Sequence, residues 1–182
     1  MASILPSIGI ISETSKSERI ITPYADGTKA FQSFIAQASQ KGAKLRTMIY
    51  GCTLPIFFDG ITAAKKAGCD IKVIFDHTQA MGHAEKPHLE ALVQAGFKDG
   101  QDFLIGTSPK HAIVHLKQTS IWLPNGDVMT LEGSWNYSVS ASLEMNMLSF
   151  CDSAPLATYT DKVFDLLWAW IQSNEEKYQG DL

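Results

Sequence analysis

Five positions in the second half of the chain combine the residue types that chemistry at a phosphodiester requires. His115 and Lys117 stand one residue apart, and Gly133, Ser134 and Asn136 begin sixteen residues after the lysine. An imidazole can attack phosphorus or carry a proton near neutral pH. Ammonium, hydroxyl and amide groups donate hydrogen bonds to phosphate oxygens. The pattern therefore predicts a phosphate site centred on His115.

Two strands and the turn between them must position these side chains. Alternate residues of a strand share one face, so His115 is predicted to point the same way as Lys117. Ser134 and Asn136 are expected to share a face for the same reason. Between the two pairs, Asn125-Gly126 is flanked by apolar residues, which predicts a hairpin. Such a hairpin brings the second pair beside the first.

A simpler interpretation of His115 competes with this one. A histidine two residues from a lysine on a strand is commonly a half-exposed surface pair without a chemical role. The tetrapeptide from Gly133 to Asn136 favours the catalytic interpretation. Gly133 has no side chain, so a ligand oxygen is expected to approach its backbone beside these donors.

These residues resemble the phospholipase D superfamily. Its signature is His-x-Lys, an aspartate five positions after the lysine, and Gly-Ser-x-Asn seven positions after the aspartate. Residues 46–55 and 63–76 also look like the strand-helix-strand region of the small, single-motif bacterial endonucleases of that superfamily. The resemblance spans residues 18–172.

The chain departs from the family pattern in two ways. Trp122 occupies the position of the motif's aspartate. Fifteen residues separate Lys117 from Gly133, so the hairpin is four residues longer than the pattern, and Asp127 either fills the acidic role or does not. The aspartate is interpreted as a supporting residue, so its loss leaves the core chemistry in place.

The resemblance implies a mechanism and a set of site residues. Neutral His115 would attack phosphorus and form a phosphohistidine, and the same histidine of a second subunit would act as acid and then as base. No metal and no cofactor are required. The implied catalytic residues are His115, Lys117, Ser134, Asn136 and Glu144, and the implied substrate-binding residues are Lys117, Ser134, Asn136, Gly133 and His111.

Two of these assignments have open alternatives. Glu144 either accepts the second ring proton of His115, as a carboxylate does in a catalytic triad, or is an exposed residue at a strand end. His111 lies four residues before His115 and either binds substrate or supports the site, the supporting role being favoured.

Composition bounds the architecture and the partners. The 182 residues, 45% hydrophobic, suffice for one domain over residues 1–182, with residues 1–17 an arm and 173–182 a polar tail. The larger enzymes of the resembled superfamily carry two motif copies in one chain. The resemblance, together with a single His-x-Lys and no internal repeat here, therefore implies a homodimer that completes the site. The net charge of −4, with Arg19 and Arg46 the two arginines, argues against broad affinity for nucleic acid and leaves the substrate open.

Other features concern the compartment and metals. The first residues lack a secretory signal, and no apolar run approaches the ~20 residues of a membrane span, so a cytoplasmic protein is expected. Three cysteines favour reduced thiols. His77, His83 and His88 lack the spacing of zinc ligands and are interpreted as a loop.

Periodicity predicts an α/β fold with a mixed, largely parallel sheet flanked by helices on both faces. The resemblance implies that this is the fold of the phospholipase D superfamily. The β-α-β pattern over residues 45–75 favours a parallel crossover. The predicted helices cover residues 28–40, 55–67, 88–95 and a C-terminal stretch around Val163 to Ile171. The predicted strands cover residues 19–24, 45–50, 71–75, 103–105, 112–123, 128–132 and 145–150.

Three functions remain in view. A nuclease that hydrolyses nucleic-acid phosphodiesters is favoured. The alternatives are a phosphodiesterase for phospholipid head groups, for which the sequence offers no basic amphipathic helix or lipid anchor, and an inactive dimer that binds phosphate or nucleic acid.

Overall fold

The short apolar runs predicted as strands form one sheet in the computed structural model, which describes residues 16–174. The strands are β1 (Ser17–Thr22), β2 (Lys44–Ile49), β3 (Asp70–Asp76), β4 (Phe103–Gly106), β5 (Lys117–Trp122), β6 (Val128–Gly133) and β7 (Asn146–Cys151). The helices are α1 (Gly27–Ala36), α2 (Pro55–Ala67), α3 (His77–Ala80), α4 (Lys86–Gln94) and α5 (Ala154–Gln172). A 3-10 turn covers Ser140–Ser142.

The strand order is β1-β7-β6-β5-β2-β3-β4, and it corrects one prediction. The β-α-β pattern does give a parallel pair, β2 with β3, and β4 adds in parallel to β3. The other four pairings are antiparallel, so the expectation of a largely parallel sheet was wrong. Parallel neighbours need a crossover connection, whereas β5 and β6 are joined by a hairpin and β1 returns to pair with the late strand β7.

Helices cover both faces of the sheet, as predicted. On one face, Phe31 of α1, Phe57 of α2 and Leu89 of α4 belong to the larger apolar core. On the other face, α5 buries Phe164, Trp168 and Ile171 against the side chains of Met48, Ile74 and Leu104, which come from β2, β3 and β4. The stripe predicted for the C-terminal helix is therefore a packing surface.

The hairpin between β5 and β6 is present, and its turn contains Gly126 with a φ of 91°. The strand predicted over residues 112–123 is shorter, because β5 begins only at Lys117. The backbone N–H of Val114 donates to the carboxylate of Asp76 instead of joining the sheet, and His111 has a φ of 57°. Within the predicted arm and tail, residues 1–15 and 175–182 lie outside the described residues.

Candidate functional site

The motif residues gather where β2 and β3 end and β5 begins. Beyond the last ladder pair of β2 and β5, the N–H of Tyr50 still donates to the carbonyl oxygen of Leu116 at 2.8 Å. The next positions in that register are Gly51 and His115. The carboxyl ends of parallel strands are where open α/β sheets place ligands. Gly133, at the end of β6, lines the same cavity as His115 and Lys117.

His115 is exposed in the extended segment just before β5. Its ring lies edge-on to the ring of Tyr50, with 4.8 Å between the two centroids. The residue lines two cavities, of about 610 and 350 Å³. An exposed imidazole that is braced on one side and open to a cavity is suited to attack on a bound phosphorus.

Lys117 is nearly buried, with 6% of its surface exposed. Its Nζ lies 4.9 Å from the centroid of the Tyr50 ring and donates to the carbonyl oxygen of His115 at 3.0 Å. Burial lowers the pKa of Lys117, and the nearby carboxylate of Asp76 opposes that shift. Because water screens it poorly, the ammonium group can interact strongly with a phosphate.

The Gly-Ser-Trp-Asn segment crosses from one side of β5 to the other. At its start, Ser134 donates its N–H to the carbonyl oxygen of Met147 on β7 at 3.1 Å. At its end, Tyr137 donates its N–H to the carbonyl oxygen of Gly51 at 3.0 Å. The buried rings of Trp135 and Tyr137 pack on Phe31, with centroid distances of 5.5 and 4.6 Å. These anchors fix the backbone that carries the two polar motif residues.

Ser134 and Gly133 both meet β7. The Ser134 Oγ accepts a hydrogen bond from the Met147 N–H at 3.0 Å, which leaves its own hydrogen free to donate. A Cβ built on Gly133 would lie 2.0 Å from the carbonyl oxygen of Met147. The sequence led us to expect a ligand oxygen close to Gly133. In the structure, the backbone of β7 occupies the space that a side chain would fill there.

Asn136 lies against Gly51, where a Cβ would stand 3.4 Å from the Asn136 side-chain carbon Cγ. Its Oδ1 is buried without a hydrogen-bond partner among residues 16–174. Asn136 and Glu85 line a third cavity, of about 370 Å³. The Glu85 Oε2 accepts from the Cys52 N–H at 2.7 Å, and burial raises the pKa of Glu85 to about 8.

The other two predicted site residues are engaged elsewhere. Glu144 is exposed, and its carboxylate accepts from the side-chain amide of Asn146 at 3.2 Å. The ring of His111 packs against Trp170 of α5, with 5.6 Å between centroids. Residues 109–116 are not part of a strand, so His111 and His115 do not lie on one strand face.

Sequence reasoning missed two residues that contact the motif. Tyr50 lies beside both His115 and Lys117, and Asp76 is fully buried at the end of β3. Asp76 carried a recognisable signal, a charged residue directly after a buried apolar strand. Tyr50 carried none, because an aromatic residue at a strand end is ordinary packing.

The motif's missing aspartate falls outside this site. Trp122 is the last residue of β5, five residue steps from Lys117, or roughly 17 Å at about 3.3 Å per step. It lies beside Lys44, whose Nζ is 5.8 Å from the ring centroid. Asp127 belongs to the turn at the same distant end, where it accepts from the side chain of Asn125. The tryptophan at the motif's aspartate position therefore lies at the end of β5 that is distant from Lys117.

The histidines outside the motif have mostly packing contacts. His88 stacks on Phe58 with a centroid distance of 4.8 Å. Among residues 16–174, no group of three or more histidine, cysteine, aspartate or glutamate side chains is placed to hold a metal ion. Cys52, Cys69 and Cys151 are free thiols. In the same range, each helix is too short or too polar to cross a bilayer.

Comparison with protein families gives a match over much of the chain. The family model described as "cardiolipin synthase, PLD-like domain" matches residues 48–168, which is more than half of the chain. The matched region contains the site residues from Tyr50 to Asn146. A search of functionally curated proteins gave no match.

Solved structures resemble the chain in fold. Nuc of Salmonella typhimurium, a phospholipase D family member, has 22% identity and a TM-score of 0.69 over 86% of this chain and 95% of that one. NucT of Helicobacter pylori has 17% identity and a TM-score of 0.63 over 84% and 95%. The polyphosphate kinase of Porphyromonas gingivalis has 12% identity and a TM-score of 0.65 over 84% of this chain and 26% of that one.

Proposed function

The chain belongs to the phospholipase D-like domain family, and we propose that it is a metal-independent phosphodiesterase, most specifically a nuclease. The observation that carries the proposal is the grouping of an exposed imidazole, a nearly buried ammonium and two neutral donors at one end of the sheet. Lys117, Ser134 and Asn136 supply the charge and the hydrogen bonds, and His115 supplies the nucleophile.

In the first step of the proposed reaction, a ring nitrogen of His115 bonds to phosphorus as the phosphorus–oxygen ester bond breaks. The leaving oxygen takes a proton from the histidine of a second subunit. Lys117 and the donors of Ser134 and Asn136 stabilise the negative charge that builds on the phosphoryl oxygens. The product of this step is a phosphohistidine and a free hydroxyl group.

In the second step, water attacks the phosphohistidine. The histidine of the second subunit takes a proton from that water, the nitrogen–phosphorus bond breaks, and a phosphate monoester leaves. Both imidazoles return to their starting states. Glu144 is left out of this scheme, because its carboxylate accepts from Asn146.

The test is cleavage of labelled single-stranded DNA, duplex DNA and RNA in excess EDTA, with His115→Ala as the control. We expect EDTA-resistant cleavage by the wild type and none by the variant. Trapping of phosphate on His115 during turnover would identify the intermediate. Full activity in the His115→Ala protein would contradict the proposal.

A phospholipid phosphodiesterase is the second candidate, and the apolar cavity of about 350 Å³ beside His115 favours it. Ile113, Leu116 and Leu166 line this cavity and are each more than a third exposed. Such a lining suits an acyl chain better than a phosphate backbone. Cleavage of phospholipid vesicles with nucleic acid left intact would make this the assigned function.

A further inference from the structure

We propose that Asp76 is a positioning residue that holds His115 and Lys117 in their working arrangement. This inference rests on the phosphodiesterase function proposed above. Asp76 is fully buried at the end of β3, and it lies outside the His-x-Lys and Gly-Ser-x-Asn motifs. A buried carboxylate is stable only where hydrogen bonds and positive charge compensate its lost hydration.

Both carboxylate oxygens of Asp76 accept hydrogen bonds from backbone N–H groups. Oδ2 accepts from the N–H of Val114 at 2.6 Å, immediately before His115 in the chain. Oδ1 accepts from the N–H groups of Thr78 and Gln79 at 3.0 and 3.3 Å and so caps the start of α3. One side chain thereby ties the segment that carries His115 to the end of β3.

The cap on α3 gives a second route to the same two residues. The side-chain amide of Gln79 donates to the hydroxyl oxygen of Tyr50 at 3.1 Å. The Tyr50 ring in turn contacts the ring of His115 and lies under the ammonium of Lys117. If α3 shifts, Tyr50 shifts with it, and the support of both motif residues is lost.

Asp76 also acts on Lys117 through charge. Burial favours the neutral amine, and the negative charge of Asp76 opposes this. Among the described residues, the ammonium also has Tyr50 under it and the carbonyl oxygen of His115 as an acceptor. Asp76 therefore helps to keep Lys117 protonated while it remains shielded from water.

The position of Asp76 gives the site a carboxylate that the motif itself does not supply. The motif's aspartate position, Trp122, is at the opposite end of β5 from Lys117. Asp76 reaches the site from β3, two strands away in the sheet order. The negative charge that acts on Lys117 thus comes from another part of the chain.

The test compares Asp76→Asn with Asp26→Asn, because both aspartates cap a helix. Asp26 is exposed and accepts from the N–H of Lys29 at 2.9 Å at the start of α1, so it controls for loss of a cap charge. In Asp76→Asn the amide group replaces the acceptor of the Val114 N–H. We expect kcat to fall about 100-fold with a smaller change in KM, because a small misplacement of a catalytic group is that costly.

The pH profile separates positioning from a purely structural role. Without the charge of Asp76, the pKa of Lys117 drops further, so the loss of activity at high pH moves to lower pH. A structural role alone would lower the melting temperature and the active fraction and leave the profile unchanged. That result, or a variant with wild-type kcat and profile, would overturn the proposal.

Binding of inorganic phosphate, measured by calorimetry against pH, provides a readout that does not need turnover. We expect Asp76→Asn to bind phosphate at least tenfold more weakly and to lose binding at lower pH than Asp26→Asn. Equal binding by the two variants would overturn the role of Asp76. Full activity of His115→Ala would instead refute the phosphodiesterase mechanism, so the two failures are distinguishable.

Discussion

Ser134 shows how a motif residue can serve the fold and the site together. Its side-chain oxygen accepts from the Met147 N–H and so ties the segment to β7. Its hydroxyl hydrogen stays free to donate to a phosphate oxygen. Asn136 differs, because its Oδ1 is buried beside a cavity and has no hydrogen-bond partner in the described part of the chain. Of the two neutral donors of the motif, Ser134 therefore also stabilises the fold through its side-chain oxygen, whereas the side-chain oxygen of Asn136 does not.

Alanine substitutions should reveal this difference. We expect Ser134→Ala and Asn136→Ala each to lower kcat by about 10- to 100-fold, the worth of one hydrogen bond to a charged group. Ser134→Ala should in addition lower the free energy of unfolding by about 1 kcal/mol, because the Met147 N–H loses its acceptor. Steady-state kinetics and urea unfolding measure the two effects. Unchanged kcat in both variants would remove these residues from the mechanism.

Glu85 makes stability depend on pH. Its pKa is raised from an ordinary 4.5 to about 8 in the folded protein, first because it is buried and further because Asp76 is near. Between these values the folded state keeps a proton that the unfolded chain has lost. Stability from this group is therefore full below pH 4.5 and is lost as the pH rises through 8.

Removing the titration should remove that dependence. We expect wild-type stability to fall by roughly 2 to 5 kcal/mol more than that of Glu85→Gln between acidic and alkaline pH. Glutamine keeps an oxygen that can accept from the Cys52 N–H. Glu90→Gln, an exposed position of α4, is the matched control and should follow the wild type. Parallel pH curves for all three proteins would contradict the expectation.

The hairpin of β5 and β6 contains two glycines that are required for different structural reasons. Gly126, in the turn, has a φ of 91° and open space around the position of a Cβ. Gly133, at the end of β6, has a φ of 154°, and the backbone of Met147 occupies its side-chain space. The first glycine serves the turn's conformation, and the second allows β7 to pass directly beside the site.

The two glycines form a matched pair for mutation. We expect Gly126→Ala to cost about 1 kcal/mol of stability and to leave kcat unchanged, since only the backbone conformation is strained. Gly133→Ala should cost several kcal/mol and lower kcat, because β7 and Ser134 must move. Thermal melts and kinetics at a temperature where both variants are folded provide the comparison. Equal behaviour of the two variants would refute it.

A single copy of the motif limits what one subunit can do in the proposed mechanism. One imidazole attacks phosphorus, and a different one must hold the proton. In one subunit, His115 stands at the site, while the ring of His111 packs against Trp170. The proposed mechanism takes the second imidazole from another copy of the chain, so activity is expected to depend on association.

Mixing experiments test this dependence. After wild type and His115→Ala are unfolded together and refolded in equal amounts, random pairing leaves about one quarter of dimers with two intact histidines. We expect activity near that fraction of an all-wild-type sample refolded at the same total protein concentration. Activity of one half would show that each subunit works alone. Native mass spectrometry, which resolves the mass difference between histidine and alanine, verifies that subunits have exchanged.

The local pattern of the sequence was sufficient to predict the principal elements and the motif. Short apolar runs and helical spacing predicted β2 and α2 closely and the C-terminal half of α5. Asn125-Gly126 predicted the hairpin, because such signals act over a few neighbouring residues. The types and spacing of His115 and Lys117 indicated the chemistry before any contact was known. Each of these features depends on one short, continuous segment of the chain.

Contacts between distant segments decided the rest. The sheet is mostly antiparallel because β1 pairs with β7 and β5 with β2, which no local pattern specifies. The strand predicted from residue 112 begins only at Lys117, and the N–H of Val114 instead donates to Asp76, 38 residues earlier in the chain. Tyr50 and Asp76 join the motif only when β2, β3 and β5 are neighbours. A sequence fixes which groups are available, whereas long-range packing determines which of them meet and how strongly burial changes their charge.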